Sequence, residues 1–190
     1  MYFLLLFIAA YIVGSVNVSI ALFRILGKED PRTRFSGNPG ATNIYRLAGL
    51  GWAVCVLILD MGKAIAIAAV SLTVLPPYLA AWVGLGLILG NRFPCFHRFQ
   101  GGKGVAAYLG FAAVFAPVFA GVGMLLWIAA YGATRHPFIG SFAMVLILAI
   151  GVIIRCGNSV TAMAGTIATI GLIYYSHKRN VIELIAKKGR

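Results

Sequence analysis

The stretch Val105–Ala133, VAAYLGFAAVFAPVFAGVGMLLWIAAYGA, sets the number of membrane crossings that this chain can make. It is apolar along its whole length and contains one proline, Pro117, near its middle. As a single helix, its 29 residues would be about 43 Å long and would tilt strongly in a hydrocarbon core about 30 Å thick. A break near Pro117 would instead give two short helices of about 20 Å each. The two interpretations differ by one crossing and place the carboxyl terminus on opposite sides.

The rest of the chain is also dominated by apolar segments. Of its 190 residues, 61% are apolar and 11% are charged, which is far from the composition of soluble proteins. Five further apolar runs cover Tyr2–Leu26, Leu47–Leu75, Tyr78–Gly90, Phe138–Ile154 and Val160–Tyr175. Backbone groups in lipid need hydrogen-bond partners within their own segment, so these runs predict helices. The first run lacks a basic start and a small-residue cleavage site, which favours a retained span over a signal peptide. We expect an all-α polytopic membrane protein with a single domain over residues 1–190.

The basic residues favour the interpretation with a break at Pro117. Sixteen Lys and Arg face four Asp and Glu, for a net charge of +12, and they cluster in short segments between the apolar runs. With the break the chain crosses seven times, and fourteen of the sixteen fall on one side, leaving Arg155 opposite and Lys63 within a span. The positive-inside rule then predicts an amino terminus outside and a carboxyl terminus in the cytoplasm. Clustering of this kind does not suit a nucleic-acid binder, which presents its charge on a soluble face.

A glycine-rich loop lies between the first two apolar runs. It reads Ser36-Gly37-Asn38-Pro39-Gly40-Ala41-Thr42-Asn43 and is closed by Arg46. Glycines let the backbone turn its N–H groups toward an anion, and hydroxyl and guanidinium groups add donors. The pattern predicts an anion site, with phosphate as the favoured ligand, at a membrane surface. The candidate substrate-binding residues are Ser36, Gly37, Asn38, Gly40, Thr42, Asn43 and Arg46.

The predicted topology brings three more polar segments to the same face. Gly101–Gly104 stands directly before a predicted helix, where Lys103 would add a cation, although the spacing of a Walker loop is absent. Thr134-Arg135 precedes Ser141, while His177 and Asn180 are three residues apart and share a helix face if the helix continues. The candidates here are Gly102, Lys103, Ser141, His177 and Asn180.

Purely structural roles for these segments stay open. Gly101–Gly104 could be an ordinary loop, and His177 could be an interfacial residue. Asp60 and Lys63, at i and i+3 within a span, could simply pair to lower the cost of burial. Cys55, Cys95 and Cys156 are scattered, with no C-x-x-C and no His at metal-ligand spacing, so neither a disulfide framework nor a zinc site is expected. No cofactor is expected either.

Taken in order, these motifs resemble the bacterial integral-membrane glycerol-3-phosphate acyltransferases that use acyl phosphate as donor. The resemblance runs nearly end to end. It rests on Gly14-Ser15, the glycine-rich loop with Arg46, Phe93-Pro94 before Gly101–Gly104, Thr134-Arg135 before Ser141, and His177 with Asn180. The family is described as seven-helix, with a cytoplasmic site and no metal. The chain departs from the family at Asn17, where Pro is common, and at Asn91, where His is usual.

The resemblance implies transfer of a fatty acyl group from acyl phosphate to the 1-hydroxyl of glycerol 3-phosphate. The products would be lysophosphatidic acid and phosphate, a step of phospholipid biosynthesis in the bacterial inner membrane. The catalytic residues would be Lys103, Ser141 and His177. We expect the glycine-rich loop to hold the acyl phosphate, and Ser36, Arg46, His177 and Asn180 to hold the glycerol phosphate. Whether His177 or a phosphate oxygen of the donor takes the hydroxyl proton stays open.

Two other classes of function compete with this prediction. A membrane transporter of a small organic phosphate would also need phosphate donors, although transporters commonly show internal repeats and midplane sites, which this sequence lacks. A basic scaffold for anionic lipid would need only the charged loops and tail. The oligomeric state, the acyl-chain preference and the pH optimum cannot be derived from these motifs.

Overall fold

A computed structural model describes residues 1–188 of the chain, and this part is helical without a β-strand. A short 3₁₀ helix covers Cys95–His97. The ten α-helices are α1 (Tyr2–Ser15), α2 (Val18–Ile25), α3 (Ala41–Ala48), α4 (Leu50–Val74), α5 (Pro77–Arg92), α6 (Val105–Phe115), α7 (Pro117–Thr134), α8 (Pro137–Arg155), α9 (Val160–Ser176) and α10 (Lys178–Lys188). Arg190, which the predicted basic tail includes, lies outside the described residues. The all-α prediction is confirmed for the part that is described.

The predicted break near Pro117 is confirmed. Helix α6 ends at Phe115, Ala116 adopts a non-helical conformation, and Pro117 is the first residue of α7. Proline fits the first turn of a helix, because its missing N–H would have no partner there, but it cannot continue the preceding helix. The stretch Val105–Ala133 therefore forms two helices.

The structure has four helices that are long and apolar enough to span a membrane, within the residues it describes. They are α4, α5 extended to His97, α7 and α8. The pair α1 and α2 adds a fifth candidate if it is taken as one bent span. Helices α6 and α9 are apolar but shorter, at 11 and 17 residues. By length and composition, the described residues therefore offer four to five candidate membrane spans.

The first apolar run differs from the expected single helix. It is bent by 43° between α1 and α2, at Val16 and Asn17. The side-chain oxygen of Asn17 accepts a hydrogen bond from the Ile20 backbone N–H at 3.1 Å and so caps α2. Asparagine is among the preferred N-cap residues, which explains why a new helix begins here. The break also frees the Val16 carbonyl, which accepts a bond of 2.6 Å from the Lys63 ammonium.

A second difference concerns the polar segment Gly27–Arg46, which we expected to be loop. Its last six residues belong to helix α3, which is amphipathic and buries Asn43 and Ile44. Ile44 packs with Phe23 and Val56 in a small apolar cluster separate from the main core. Helix α3 is therefore anchored on α2 and α4, and its amino terminus carries the end of the glycine-rich loop.

Helix α5 lies at the centre of the bundle, with α1 on one side and α9 on another. The α1–α5 contact depends on small residues, since a Cβ atom at Gly90 would overlap the Tyr11 carbonyl oxygen. Close backbone approach at small residues is typical of membrane helix pairs, where apolar burial gives little driving force. Helix α6 packs between α4 and α8, and α7 packs on α8. These contacts bring the loops before α3 and α6 and the ends of α8 and α9 to one region.

Candidate active site

A cavity of about 400 Å³ lies where these segments meet. Its wall includes eleven of the twelve candidate site residues: Ser36, Asn38, Gly40, Thr42, Asn43, Arg46, Gly102, Lys103, Ser141, His177 and Asn180. They come from segments more than one hundred positions apart in the chain. Gly37 is the exception, since it does not line the cavity, and its φ of 64° instead serves the turn of the loop.

The buried carboxamide of Asn43 holds the glycine-rich loop together. Its nitrogen donates to the carbonyls of Pro31 at 2.8 Å and Arg34 at 3.3 Å. Its oxygen accepts from the Ser36 hydroxyl at 3.2 Å and from the Ser36 N–H at 3.4 Å. A carboxamide has two N–H donors and one oxygen, and all are engaged by these bonds. Asn43 therefore shapes the loop, which leaves other groups of the loop to face the cavity.

Helix α3 presents its amino terminus to the cavity. Gly40 is the N-cap, and the described residues supply no side-chain cap to this helix. Ala41 and Thr42, in its first turn, line the cavity. The first N–H groups of a helix have no intrahelical partner and carry partial positive charge, which suits an anion. Arg46, further along α3 and solvent-exposed, adds a full positive charge to the same wall.

Lys103 lies in the loop before α6 and also lines the cavity. Gly104 has a φ of 82°, a conformation that favours glycine and turns the chain into α6. The Lys103 ammonium donates to the side-chain oxygen of Asn180. Burial lowers the pKa of Lys103 to about 8, with nearby Arg92 and Arg179 acting in the same direction and Glu183 opposing them. Lys103 therefore still carries its charge in most molecules at neutral pH.

His177 lies at the end of α9 and is only 3% exposed. Its Nδ1 is 2.9 Å from the Ile173 carbonyl oxygen, and Phe142 packs edge-on against its ring. A carbonyl can only accept, so the neutral ring carries its hydrogen on Nδ1 and has its lone pair on Nε2. Burial lowers the pKa of His177 to about 4, and the charge of Lys103 adds to this effect. At neutral pH the ring is an uncharged hydrogen-bond acceptor.

Ser141 joins α7 to α8 at the cavity wall. Its hydroxyl donates to the Pro137 carbonyl at 3.0 Å and accepts from the Trp127 indole N–H at 3.3 Å. The neighbouring motif Thr134-Arg135 does not line the cavity, because it closes the turn between the two helices. Of that third predicted segment, only Ser141 faces the site.

The cavity also has an apolar side that the motifs did not reveal. It is formed by α4, α6, α7 and α8 through Leu57, Leu109, Met124, Trp127, Ile128, Phe138 and Met144. Apolar residues on a membrane helix carry no signal that separates a cavity wall from packing or lipid contact. The polar side and the apolar side together make an amphipathic cavity.

Two more polar residues, Asp60 and Asn91, line the cavity. Asp60 is buried and pairs with Lys63 at 2.7 Å, which confirms the pairing considered from their spacing. Because Lys63 balances Asp60, Arg46 and Lys103 leave the cavity with net positive charge. Asn91 is 4% exposed and lies beside Asn17 around Gly102, so the two positions that depart from the family pattern are neighbours.

Comparison with known proteins identifies relatives along almost the whole chain. The model of the family described as glycerol-3-phosphate acyltransferase matches residues 4–187. The glycerol-3-phosphate acyltransferase of Methylobacillus flagellatus is 38% identical over 157 residues, which cover 77% of this chain and 80% of that protein. The enzyme of that name from Pseudomonas fluorescens is 35% identical over 189 residues, covering 99% of this chain and 98% of its own.

Two solved structures share the fold. One is the crystal structure of PlsY (YgiH), an integral membrane glycerol 3-phosphate acyltransferase, in its glycerol 3-phosphate form, with a TM-score of 0.90 and 29% identity over 98% of this chain and 94% of that one. The other is its lysophosphatidic acid form, with a TM-score of 0.88 and 28% identity over 98% and 93% of the two chains. The resemblance inferred from the motifs is thus confirmed, and the chain belongs to the glycerol-3-phosphate acyltransferase family.

Proposed function

We propose that this protein acylates glycerol 3-phosphate, and that the acyl donor is an acyl phosphate. Glycerol 3-phosphate as the acyl acceptor is supported by the family and by the solved relatives, one of which is a glycerol 3-phosphate form. Acyl phosphate as the donor is the more specific part of the proposal. The observation that carries it is a single amphipathic cavity with two separate sets of phosphate donors.

The two donor sets suit two phosphoryl groups side by side. One is the amino terminus of α3 with the backbone of the glycine-rich loop and Thr42, which we assign to the acyl phosphate. Ser141 assists that group in this assignment. The other is Arg46 with Ser36 and Asn180, which we assign to the phosphate of glycerol 3-phosphate, while Nε2 of His177 accepts a hydrogen bond from a hydroxyl group of the same substrate. Lys103 lies between them in the proposal and offsets the repulsion of two anions, since Arg and Lys side chains form strong charge-assisted bonds with phosphate.

The apolar side of the cavity supports a lipid-borne acyl group. Leu109, Met124 and Ile128 come from α6 and α7, and Met124 and Ile128 line the cavity while 44% and 62% exposed. An acyl chain could therefore reach the polar site directly from the bilayer. Such a wall suits the acyl chain of any donor, so the choice of acyl phosphate rests on the polar side of the cavity.

The proposed reaction needs no nucleophile from the protein. The 1-hydroxyl oxygen of glycerol 3-phosphate attacks the acyl carbon, the bond from that carbon to the phosphate oxygen breaks, and phosphate leaves with the electron pair. The hydroxyl proton goes either to a phosphate oxygen of the donor or to Nε2 of His177. The pKa of about 4 makes His177 a weak base, which supports a positioning role and transfer of the proton to phosphate. Lys103 then stabilises the negative charge that develops on the acyl oxygen and the leaving phosphate.

The proposal is tested by phosphate release from synthetic acyl phosphate with purified protein in lipid nanodiscs. We expect release to require glycerol 3-phosphate and to match the lysophosphatidic acid formed. Glycerol without its phosphate serves as the control acceptor and should support little release. Release without any acceptor would reduce the activity to hydrolysis. Equal rates with acyl-CoA or acyl carrier protein would contradict the donor assignment but not the acceptor.

A transporter of a small organic phosphate is not favoured, because the matched relatives are named as acyltransferases. Uptake of glycerol 3-phosphate into sealed proteoliposomes separates the two functions. An acyltransferase should leave the compound outside and acylate it only on the face that carries Lys103.

We also propose that residues 1–190 form one domain with seven crossings in the bacterial inner membrane, the site facing the cytoplasm. The bent pair α1 and α2, the four long helices, and the shorter α6 and α9 would account for the seven. Neighbouring helices can cover short spans. Two single-cysteine variants test it in intact cells, one keeping the exposed native Cys95 and one carrying Asn158→Cys. Membrane-impermeant maleimide should label only the second, and labelling of Cys95 would reverse the orientation.

A further inference from the structure

We propose that a second cleft, apart from the candidate active site, binds the phosphate headgroup of an anionic lipid. The cleft has a volume of about 420 Å³ and lies between the end of α2, the segment after it, and the 3₁₀ helix. Its lining residues are Ile20, Arg24, Lys28, Asp30, Arg32, Phe96, His97 and Arg98. None of them lines the first cavity.

The cleft holds more positive charge than its own carboxylate can balance. Four cationic side chains face one carboxylate, Asp30, which already accepts three hydrogen bonds from the Arg32 guanidinium at 2.6 to 3.1 Å. Among the described residues, the ion pairs of this region are Arg32 with Asp30 and Arg34 with Glu29. Arg24 and Arg98 have no carboxylate partner among the described residues, and neither has Lys28, whose ammonium lies over the Trp52 ring. Guanidinium groups bind phosphate with paired hydrogen bonds, which suits this set.

The walls of the cleft are fixed by the same arginine. Besides Asp30, Arg32 donates to the carbonyls of His97 at 3.0 Å and Gln100 at 2.9 Å. These bonds join the segment after α2 to the segment before Gly101. On the second wall, Arg98 and Phe99 both have positive φ values, 56° and 57°, which are unusual for residues with side chains. Backbone of this kind persists only where surrounding contacts hold it, so the cleft is a built feature of the fold.

The rim of the cleft indicates that the anion is attached to a lipid. Phe96, which lines the cleft, is 59% exposed, and Ile25 and Phe99, which follow Arg24 and Arg98 in the sequence, are 81% and 60% exposed. Helices α2 and α5 both end beside the cleft, so it lies at the level where candidate spans leave the membrane. Apolar and aromatic side chains next to arginines at that level are suited to lipid chains and headgroups together. A free anion would not need the apolar rim.

Trp52 provides a local reporter, because its ring lies 5.4 Å from the Lys28 ammonium. In a variant with Trp82→Phe and Trp127→Phe it is the single tryptophan of the chain. The probes are phosphatidic acid and phosphatidylcholine with brominated chains, titrated at low mole fraction into nanodiscs of unlabelled phosphatidylcholine. We expect saturable quenching of Trp52 by brominated phosphatidic acid alone, reversed by unlabelled phosphatidic acid.

Charge variants identify the site. Arg24→Gln with Arg98→Gln should weaken the quenching roughly thirtyfold in apparent affinity, since two surface cations are removed. Arg155→Gln with Lys178→Gln removes the same charge elsewhere and should leave it unchanged. Lys103→Ala should also leave it unchanged, which separates this cleft from lipid in the first cavity. If the double variant is misfolded by size-exclusion chromatography, Lys28→Gln replaces it, with a smaller loss expected.

Three results would overturn the proposal. Equal quenching by the two brominated lipids would mean ordinary bilayer contact. Unchanged affinity in the Arg24/Arg98 variant would place the lipid elsewhere. If millimolar inorganic phosphate displaces brominated phosphatidic acid as well as unlabelled phosphatidic acid does, the cleft is a site for free anions and the lipid assignment is wrong.

Discussion

The ammonium group of Lys103 donates a hydrogen bond to the side-chain oxygen of Asn180, 77 positions further along the chain. This bond joins the loop before α6 to the first turns of α10, and both residues line the candidate active site. The carboxamide oxygen holds the ammonium without cancelling its charge. Lys103 is thus both oriented and still able to attract anions.

Replacement of Lys103 by Ala should nearly abolish acyl transfer. Loss of one donor to developing negative charge typically costs about a hundred- to a thousandfold in rate. The measurement is the turnover number at saturating substrates, with insertion and size-exclusion profile checked for each variant. Lys178→Ala is the matched control, because Lys178 is exposed and does not line the cavity. Near-normal turnover of a folded Lys103→Ala protein would remove Lys103 from the site.

The pH dependence should report the same group. The pKa of Lys103 is lowered to about 8, chiefly by burial, so the ammonium loses its proton as the pH rises through that value. We therefore expect kcat/KM, which reflects the free enzyme, to fall above pH 8. In Lys103→Arg the residual activity should lack this decline, because a guanidinium stays protonated. A decline of equal midpoint in both proteins would assign it to another group.

Much of the site could be predicted because its polar residues stand out against apolar surroundings. Glycines, an arginine and a lysine in short loops between apolar runs have few structural explanations, and the positive-inside rule placed them on one face. The role of Asn43 could not be predicted, since its partners Pro31 and Arg34 are backbone carbonyls that any sequence supplies. The apolar wall was equally invisible, as Met124 and Ile128 look like ordinary lipid-facing residues.

Of the two helix breaks in the apolar runs, the sequence predicted the one at Pro117 but not the one at Asn17. Pro117 signals a break because its ring and missing N–H interrupt a helix wherever it occurs. The break at Asn17 was missed, although an asparagine directly before Val18 is a recognisable N-cap signal. In an apolar run this signal competes with the expectation of one continuous span. Close contacts such as that of Gly90 with Tyr11 depend on which helices are neighbours, and that information is not local in the sequence.

Substitution of His177 should separate positioning from base catalysis. The buried ring, with a pKa of about 4, is a weak base, but its Nε2 can accept a hydrogen bond from the substrate. For His177→Gln we expect the KM for glycerol 3-phosphate to rise by up to about tenfold, in line with one lost hydrogen bond between uncharged groups. The turnover number should change much less. A collapse of turnover with KM unchanged would instead support His177 as the base.

The glycine-rich loop should open when Asn43 is changed to Asp. A carboxylate would face the carbonyls of Pro31 and Arg34, where the present nitrogen donates, and repulsion would replace both bonds. Limited trypsin digestion measures the result, since Arg34 lies two residues before the loop and is exposed. We expect faster cleavage there and a higher KM for acyl phosphate. Thr33→Ala, which removes only an exposed bond to the Asp30 carbonyl, should behave as the parent protein.

The α1–α5 contact should be the most sensitive packing position among these variants. In Gly90→Ala the new methyl group would overlap the Tyr11 carbonyl, which is backbone and cannot rotate away. Forcing the helices apart should cost about 1–3 kcal/mol, as overpacking of a well-packed core typically does. The expected readout is a lower midpoint of thermal unfolding in detergent.

Gly62→Ala is the matched control, because the added Cβ would have no atom within 4 Å apart from its chain neighbours and the backbone of its own helix. Gly62 lies inside α4, where alanine is favoured over glycine by roughly 1 kcal/mol. Its midpoint should therefore equal or exceed that of the parent. An unchanged midpoint for Gly90→Ala would show that α1 and α5 are not in close contact. Helix α5 also leads into the loop that carries Lys103, so activity and stability should fall together in Gly90→Ala.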